Sequence, residues 1–165
     1  PEDRQRMGLV TEFNASENIM FGYHHKPPFS RSSIMIGANI FSHAQNIMQE
    51  YDVRPVSPFL KTSNFSGGNQ QKIILTRELN KDPKVLLVGQ PTRGVDIGAI
   101  EFIHQRIIDM RDKGVAVLLV SVELDEILSL SDRIVVMFDG RLVGEKVNEN
   151  VTDKEIGLLM AGITN

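Results

Sequence analysis

The sequence predicts an α/β fold preceded by a helical segment. Three continuous apolar runs of strand length occupy residues 85–88, 115–120 and 134–138, and helix-like patterns separate them. Strands without polar alternation that are joined through helices are typical of a mostly parallel sheet with helices on both faces. Up to about Asn80 no such run occurs, and apolar residues recur at helical spacing instead.

Three helices are predicted in the first half of the chain. Residues 16–29 and 34–53 form the first two, and the Pro27-Pro28 pair separates them. The third runs from about Asn69 to Leu79. These helices make up the segment in front of the α/β part.

In the second half, helices and a hairpin connect the predicted strands. An amphipathic helix over 97–113 follows the first strand, and a short helix over 124–130 follows the second. Asp139-Gly140 predicts a hairpin turn after the third strand. A closing helix is predicted over 153–160, with the Thr152 hydroxyl as its N-cap.

Composition excludes several classes of function. The net charge of −3 leaves no basic surplus for nucleic-acid binding, and the absence of cysteine excludes disulfides and thiolate metal sites. No apolar run reaches the ~18 residues of a membrane span. His24-His25 lacks further ligands at metal-binding spacing, so no metal site is predicted. The opening "PEDRQRMGLV" is neither a signal peptide nor a natural start, and we expect an upstream part.

The stretch Ser66-Gly67-Gly68 stands directly before the third predicted helix. The first turn of a helix offers unbonded N–H groups and the positive end of the helix dipole, and both favour a bound anion. Two glycines allow a phosphate to approach the backbone, and the serine hydroxyl can cap the helix or donate to a ligand. The same residues also fit a plain N-cap, so the motif alone leaves both interpretations open.

A second motif, "VLLVGQPTRGVD", occupies residues 85–96 and follows the first after about one helix and a turn. Together the two motifs resemble the ABC transporter ATPases, and within them the branch that serves monosaccharide and nucleoside importers. The turn at 91–94 matches the turn after the family's catalytic strand, Asp96 matches the D-loop aspartate, and Glu2 lies where the Q-loop usually has glutamine. The residues that match the signature loop are Ser66, Gly67, Gly68, Asn69 and Gln70.

This resemblance extends over nearly the whole chain and implies three parts. Residues 1–13 correspond to a Q-loop remnant, 14–81 to the helical signature subdomain, and 82–165 to the distal part of the α/β ATPase core. The implied fold is a partial P-loop ABC-type ATPase core, with a mostly parallel sheet flanked by helices, preceded by the helical subdomain.

Three positions depart from the family pattern. Gly89 occupies the Walker B aspartate position and has no side chain to help hold Mg²⁺. Gln90 occupies the position of the catalytic glutamate, and an amide cannot accept a proton from water at neutral pH. Val122 occupies the position of the switch histidine. The sequence also contains no G-x-x-x-x-G-K-[ST] loop, so we expect no intact catalytic residue and no ATPase activity from this chain alone.

The resemblance further implies that two nucleotide-binding domains, usually on one polypeptide, pair head to tail with ATP and Mg²⁺ between them. The intact loop Ser66–Gln70 would then bind ATP held by the partner domain, while Gly89 and Gln90 disable the opposite site. The pair would bind transmembrane permease subunits as a peripheral component at the cytoplasmic face of the cell membrane. No nucleic-acid partner is expected.

The implied function is to couple ATP binding and hydrolysis to import of a small solute. A nucleoside is the first candidate, because "GQPTRGVD" and the "PEDR" lead-in most resemble nucleoside-importing members, and a monosaccharide is the second. The alternative from another class is a non-transport, ABC-type interaction domain, since soluble relatives of these ATPases also carry an SGG signature. Such relatives usually keep the acids and have basic patches or coiled-coil insertions, which this sequence lacks.

Overall fold

The computed structural model describes residues 3–163 and divides the chain into two compact units, Pro1–Val117 and Leu118–Asn165. The elements of the first unit are a π-helical turn Arg4–Gly8, α1 Ala15–Met20, β1 Ser30–Arg31, β2 Ile34–Met35, α2 Gly37–Glu50, a 3₁₀ turn Thr62–Asn64, α3 Gly67–Leu79, β3 Val85–Gly89 and α4 Ile97–Asp112. Strand β4, Ala116–Val120, begins in the first unit. The second unit holds α5 Leu124–Leu130, β5 Arg133–Phe138, β6 Arg141–Val147 and α6 Asp153–Met160.

The first predicted helix is shorter than its sequence pattern. Helix α1 begins with a capping box, in which the Asn14 side chain accepts the Glu17 N–H and the Glu17 carboxylate accepts the Asn14 N–H. It ends at Met20, because Gly22 has a φ of +95° and turns the chain out of the helix. The prediction of a helix as far as residue 29 is therefore wrong.

The second predicted helix begins later than its sequence pattern. Strands β1 and β2 pair as an antiparallel hairpin, so Ile34 and Met35 belong to a strand, and α2 begins at Gly37. From there the helix has the predicted apolar face. Its buried residues share one face of the helix and are Ile40, Ala44, Ile47 and Met48.

Helix α3 is the central helix of the first unit. Ten of its thirteen residues are buried, and it packs against α1, α2, α4 and the Arg4–Gly8 turn. Thr76 is one of its buried polar residues, and its hydroxyl donates to the Lys72 carbonyl at 2.7 Å. Because neighbours surround α3 on several sides, the position of its N-terminus is fixed.

Strands β3 and β4 form a two-stranded sheet and are connected through α4. The Ala116 N–H donates to the Lys84 carbonyl at the amino ends of the two strands, as in a parallel pair. Leu86 and Val88 are buried, but Leu87 between them remains 73% exposed. The prediction of a sheet covered on both faces therefore fails for β3 among the residues that the structure describes.

The second unit is built on a hairpin. Strands β5 and β6 pair antiparallel around Asp139-Gly140, where both residues have positive φ, 48° and 72°. Helix α6 begins with a capping box between Thr152 and Glu155, so the predicted hairpin and the predicted closing helix are both confirmed. The buried core of this unit consists of Ile134, Val136 and Ile156. Across residues 3–163, no helix is long and apolar enough to cross a membrane.

Candidate functional site

The predicted signature loop forms the start of α3. Ser66 is the N-cap, and its hydroxyl oxygen accepts hydrogen bonds from the Asn69 N–H at 3.5 Å and the Asn69 side-chain amide at 2.9 Å. The Asn69 side-chain oxygen accepts the Arg54 N–H at 2.7 Å. Within the described residues, the N–H groups of Gly67 and Gly68 have no hydrogen-bond acceptor. Open N–H groups at the start of a helix favour an anion.

The two glycines of this turn allow protein atoms to approach closely. A Cβ on Gly67 would lie 2.5 Å from Nη2 of Arg4 and 3.1 Å from the Gly94 carbonyl oxygen. A Cβ on Gly68 would lie 2.9 Å from a carboxylate oxygen of Asp96. Sequence alone suggested that both glycines make room for a phosphate, but both Cβ directions point at protein atoms.

Asp96, predicted as the D-loop aspartate, is the N-cap of α4. Its Oδ1 accepts the Ala99 N–H at 2.9 Å, and its Oδ2 faces Gly68. The structure therefore brings Asp96 together with the predicted signature loop. An open cleft of about 260 Å³ lies along this contact, and Asn69 and Lys72 are among the residues that line it.

Two basic residues that line this cleft are bonded to Asp52. Lys72 Nζ donates to the Asp52 carbonyl at 2.9 Å and to its carboxylate at 3.0 Å, and it lies 4.6 Å from the centre of the Phe102 ring. Arg54 Nε donates to the same carboxylate at 2.6 Å. Hydrogen bonds from Arg54 and Lys72 hold the pKa of Asp52 below its ordinary value, so this carboxylate stays ionised and orients both cations.

Sequence reasoning missed Arg4 and Gln5, which lie far from the candidate site in the sequence but contact it in the structure. Arg4 donates to the carbonyls of Arg93 and Gly94 at 2.6 and 3.0 Å. Gln5 Nε2 donates to Oε1 of the buried Gln70 at 3.1 Å. These partners lie 65 to 90 positions apart in the chain, and no local spacing signals such contacts.

The three positions predicted to be degenerate fall in two units. Gly89 ends β3, and Gln90 follows it with a φ of +49°. A Cβ on Gly89 would meet no described atom within 4 Å. Val122 lies in the second unit, between β4 and α5, and is 66% exposed. Glu2, the predicted Q-loop residue, lies outside the described residues. The assignment of these positions to a disabled nucleotide site stays a prediction.

Solved structures establish the fold. A dimeric ATP-binding cassette in a post-hydrolysis state, bound to ADP and phosphate, superposes with a TM-score of 0.71 over 89% of this chain and 62% of that chain. Its sequence is 23% identical, so the likeness concerns the fold alone. The prediction of a partial α/β core of the ABC type is confirmed.

No family model matches the chain, but curated proteins do. The nucleoside import ATP-binding protein NupA of Lactococcus lactis subsp. cremoris is 50% identical over 162 residues, or 98% of this chain. The guanosine import ATP-binding protein NupO of Bacillus subtilis is 45% identical over 164 residues, or 99% of this chain. The chain is homologous to ABC import ATP-binding proteins.

Among these ABC import ATP-binding proteins, sugar importers are also similar. The glucose import ATP-binding protein TsgD13 of Haloferax volcanii is 40% identical over 98% of this chain. The chain spans about a third of the length of the curated relatives it matches, 32% of NupA and NupO and 30% of TsgD13. The predicted resemblance to the monosaccharide and nucleoside importer branch is confirmed.

Proposed function

We propose that this chain is part of a nucleotide-binding domain of an ABC importer, in which ATP binding and hydrolysis drive uptake of a small solute. A nucleoside is the first candidate for that solute. The identities of 50% and 45% to a nucleoside and a guanosine import protein, against 40% to a glucose import protein, support this choice. The glucose import relative makes a monosaccharide the second candidate.

The site that carries the proposal is the N-terminus of α3. The open N–H groups of Gly67 and Gly68 and the dipole of a thirteen-residue helix suit the terminal phosphate of ATP. The Ser66 hydroxyl stands at the same end and can donate to a phosphate oxygen. In this proposal the turn Ser66–Gln70 completes a site whose phosphate-binding loop belongs to a second nucleotide-binding domain.

The residues of this chain fit a nucleotide but not its metal. Gly89 and Gln90 offer neither a carboxylate for Mg²⁺ nor a base for water. We therefore assign Mg²⁺ and the catalytic carboxylate to the partner domain, which we expect on the same polypeptide. ATP supplies the transferable phosphoryl group there, and this chain supplies preorganised N–H donors. Permease subunits would anchor the pair at the cytoplasmic face of the membrane.

Uptake measurements test the solute class. Disruption of the gene in its host should reduce uptake of radiolabelled guanosine to background and leave uptake of glucose and xylose unchanged, and the intact gene should restore it. The matched complementation control carries Ser66→Arg and should not restore guanosine uptake. Loss of sugar uptake with normal guanosine uptake would replace the nucleoside by a monosaccharide, and unchanged uptake of both would contradict an importer of either class.

A further inference from the structure

Arg4 joins two turns that sequence reasoning treated as separate motifs. Its Nη1 donates to the Arg93 carbonyl at 2.6 Å, and its Nη2 donates to the Gly94 carbonyl at 3.0 Å. The planar guanidinium thus holds two successive carbonyls of the turn before α4, with a geometry that a lysine cannot reproduce. Gly94 has a φ of +65°, so the backbone at this turn has a conformation that favours glycine.

The same guanidinium packs on the signature turn. Nη2 would lie 2.5 Å from a Cβ on Gly67, so any larger residue there would force the guanidinium to move from this position. The Arg4 Nε is buried and has no hydrogen-bond partner among the described residues. A buried donor without a partner is unfavourable. Two bonds to the carbonyls and the contact with Gly67 hold the side chain in this place despite that cost.

A second contact joins the Arg4–Gly8 turn to α3. Gln5 Nε2 donates to Gln70 Oε1 at 3.1 Å, and Gln70 is 2% exposed, so it cannot move freely. Arg4 and Gln5 therefore contact both Gly67 and Gln70, which lie in the first turn of α3. These contacts connect the Arg4–Gly8 turn both to the signature turn and to the turn at Arg93.

We propose that Arg4 is a positioning residue that fixes the signature turn against the turn Arg93-Gly94, so that the two turns move as one when the Arg4–Gly8 turn moves. Arg4 itself does not contact nucleotide in this proposal. It acts through the backbone of Gly67, whose N–H group would meet phosphate. The consequence for ATP rests on the proposed function, whereas the mechanical coupling does not.

Limited proteolysis tests the coupling without reference to ATP. The full-length protein carries Arg4→Ala, or the matched Arg6→Ala, which removes an exposed arginine and a tryptic site from the same turn. Without nucleotide, trypsin should cut after Arg93 at least about fivefold faster in Arg4→Ala, because the cleaved bond is no longer held. Cleavage after Lys113 in the same molecule serves as the reference and should not change, and Arg6→Ala should leave both rates unchanged.

An equal rate after Arg93 in Arg4→Ala and the parent would overturn the coupling. If Arg4→Ala fails to fold, as a lowered melting temperature and faster cleavage at both bonds would show, Arg4→Lys decides. Lysine keeps the charge but lacks the planar fork. A selective rise after Arg93 in that variant supports the proposal, and its absence contradicts it.

ATP hydrolysis by the full-length protein tests the consequence. Arg4→Ala should lower kcat about tenfold, because a small misplacement of donors has a large effect on rate, and should change the KM for ATP by less than about twofold. Gly67→Ala alone should lower kcat, because its Cβ collides with Arg4. In Arg4→Ala that collision is absent, so adding Gly67→Ala should lower kcat by less than about a further threefold, as for coupled sites. Fully multiplicative losses would contradict the proposal.

A further variant separates the two levels of failure. If Ser66→Arg leaves ATP hydrolysis at the parent rate, the proposed function fails, whatever Arg4 does. If Ser66→Arg abolishes hydrolysis while Arg4→Ala changes neither kcat nor the cleavage rate after Arg93, only the role of Arg4 fails.

Discussion

The imidazole of His43 is half-buried against Phe29, with the two ring centres 4.9 Å apart. Its Nε2 is buried and has no hydrogen-bond partner among the described residues. Burial lowers the pKa of His43 from its ordinary value of about 6.5, because the charged imidazolium loses its hydration there. Protonation of His43 therefore favours the unfolded chain.

This lowered pKa predicts a loss of stability in mild acid. Below the ordinary pKa the unfolded state binds a proton that the folded state does not, so the free energy of unfolding falls as the pH falls, until the folded pKa is also passed. Above pH 7 the effect is absent. Urea unfolding at pH 7.5 and 5.5 should show a smaller pH dependence of the free energy of unfolding for His43→Gln than for the parent. An unchanged pH dependence in His43→Gln would contradict a lowered pKa of His43 as the cause of the acid sensitivity.

Restoring the family's aspartate at Gly89 and its glutamate at Gln90 tests whether these two positions disable the site. No described atom lies within 4 Å of a Cβ at Gly89, so we expect Gly89→Asp with Gln90→Glu to fold normally. In the full-length protein, ATP turnover should rise by less than about twofold, because Val122 still replaces the histidine and such groups act as a unit. Steady-state hydrolysis measures this, with Gly89→Asp alone as the control. A large gain would mean that the site is blocked only at these two positions.

At the scale of single elements, the Thr152 capping box should control the stability of α6. Thr152 Oγ1 accepts the Glu155 N–H at 3.3 Å, and the Glu155 carboxylate accepts the Thr152 N–H at 2.9 Å. Thr152→Ala should lower the free energy of unfolding by about 1 kcal/mol, and Thr152→Ser should change it by less, because serine keeps the acceptor. Urea titration compares the two. Equal losses in both variants would show that the hydroxyl does not cap this helix.

Elements with their own start and stop signals could be predicted from sequence. The predicted ranges 124–130 and 153–160 match α5 and α6, and the Thr152–Glu155 capping box is the local start signal of α6. The ends of the first two predicted helices could not, because Gly22 ends α1 early and the pairing of β1 with β2 delays the start of α2. In those cases backbone conformation and tertiary pairing prevail over helical spacing.

The candidate site was predictable only in part. Ser66 as N-cap of α3 follows from a local pattern, whereas Asp96 was expected only as a D-loop aspartate and is also the N-cap of α4 in the structure. The reason for the two glycines did not follow, because Arg4 and Asp96 reach Gly67 and Gly68 from distant parts of the chain. Contacts of that range depend on packing that no single-sequence spacing encodes.

For the molecule as a whole, we propose that this chain serves a partner's ATP site while its own site is inactive. The structure improves the choice of variants. Gly68→Asp would not test phosphate binding alone, because the new carboxylate would meet that of Asp96 as well as any phosphate. Gln90 has a φ of +49°, which glycine adopts readily, so Gln90→Gly removes the side-chain amide without imposing backbone strain.

The most direct measurement is solute-stimulated ATP hydrolysis by the full-length protein with Ser66→Arg and, separately, with Gln90→Gly. We expect Ser66→Arg to lose about 10²–10³-fold in rate, because a long side chain displaces phosphate from the N–H donors of α3. Gln90→Gly should stay within about twofold of the parent, since the site it belongs to has no turnover to lose. Unchanged melting temperatures show that both variants are folded. Normal hydrolysis by Ser66→Arg together with a large loss in Gln90→Gly would contradict the account.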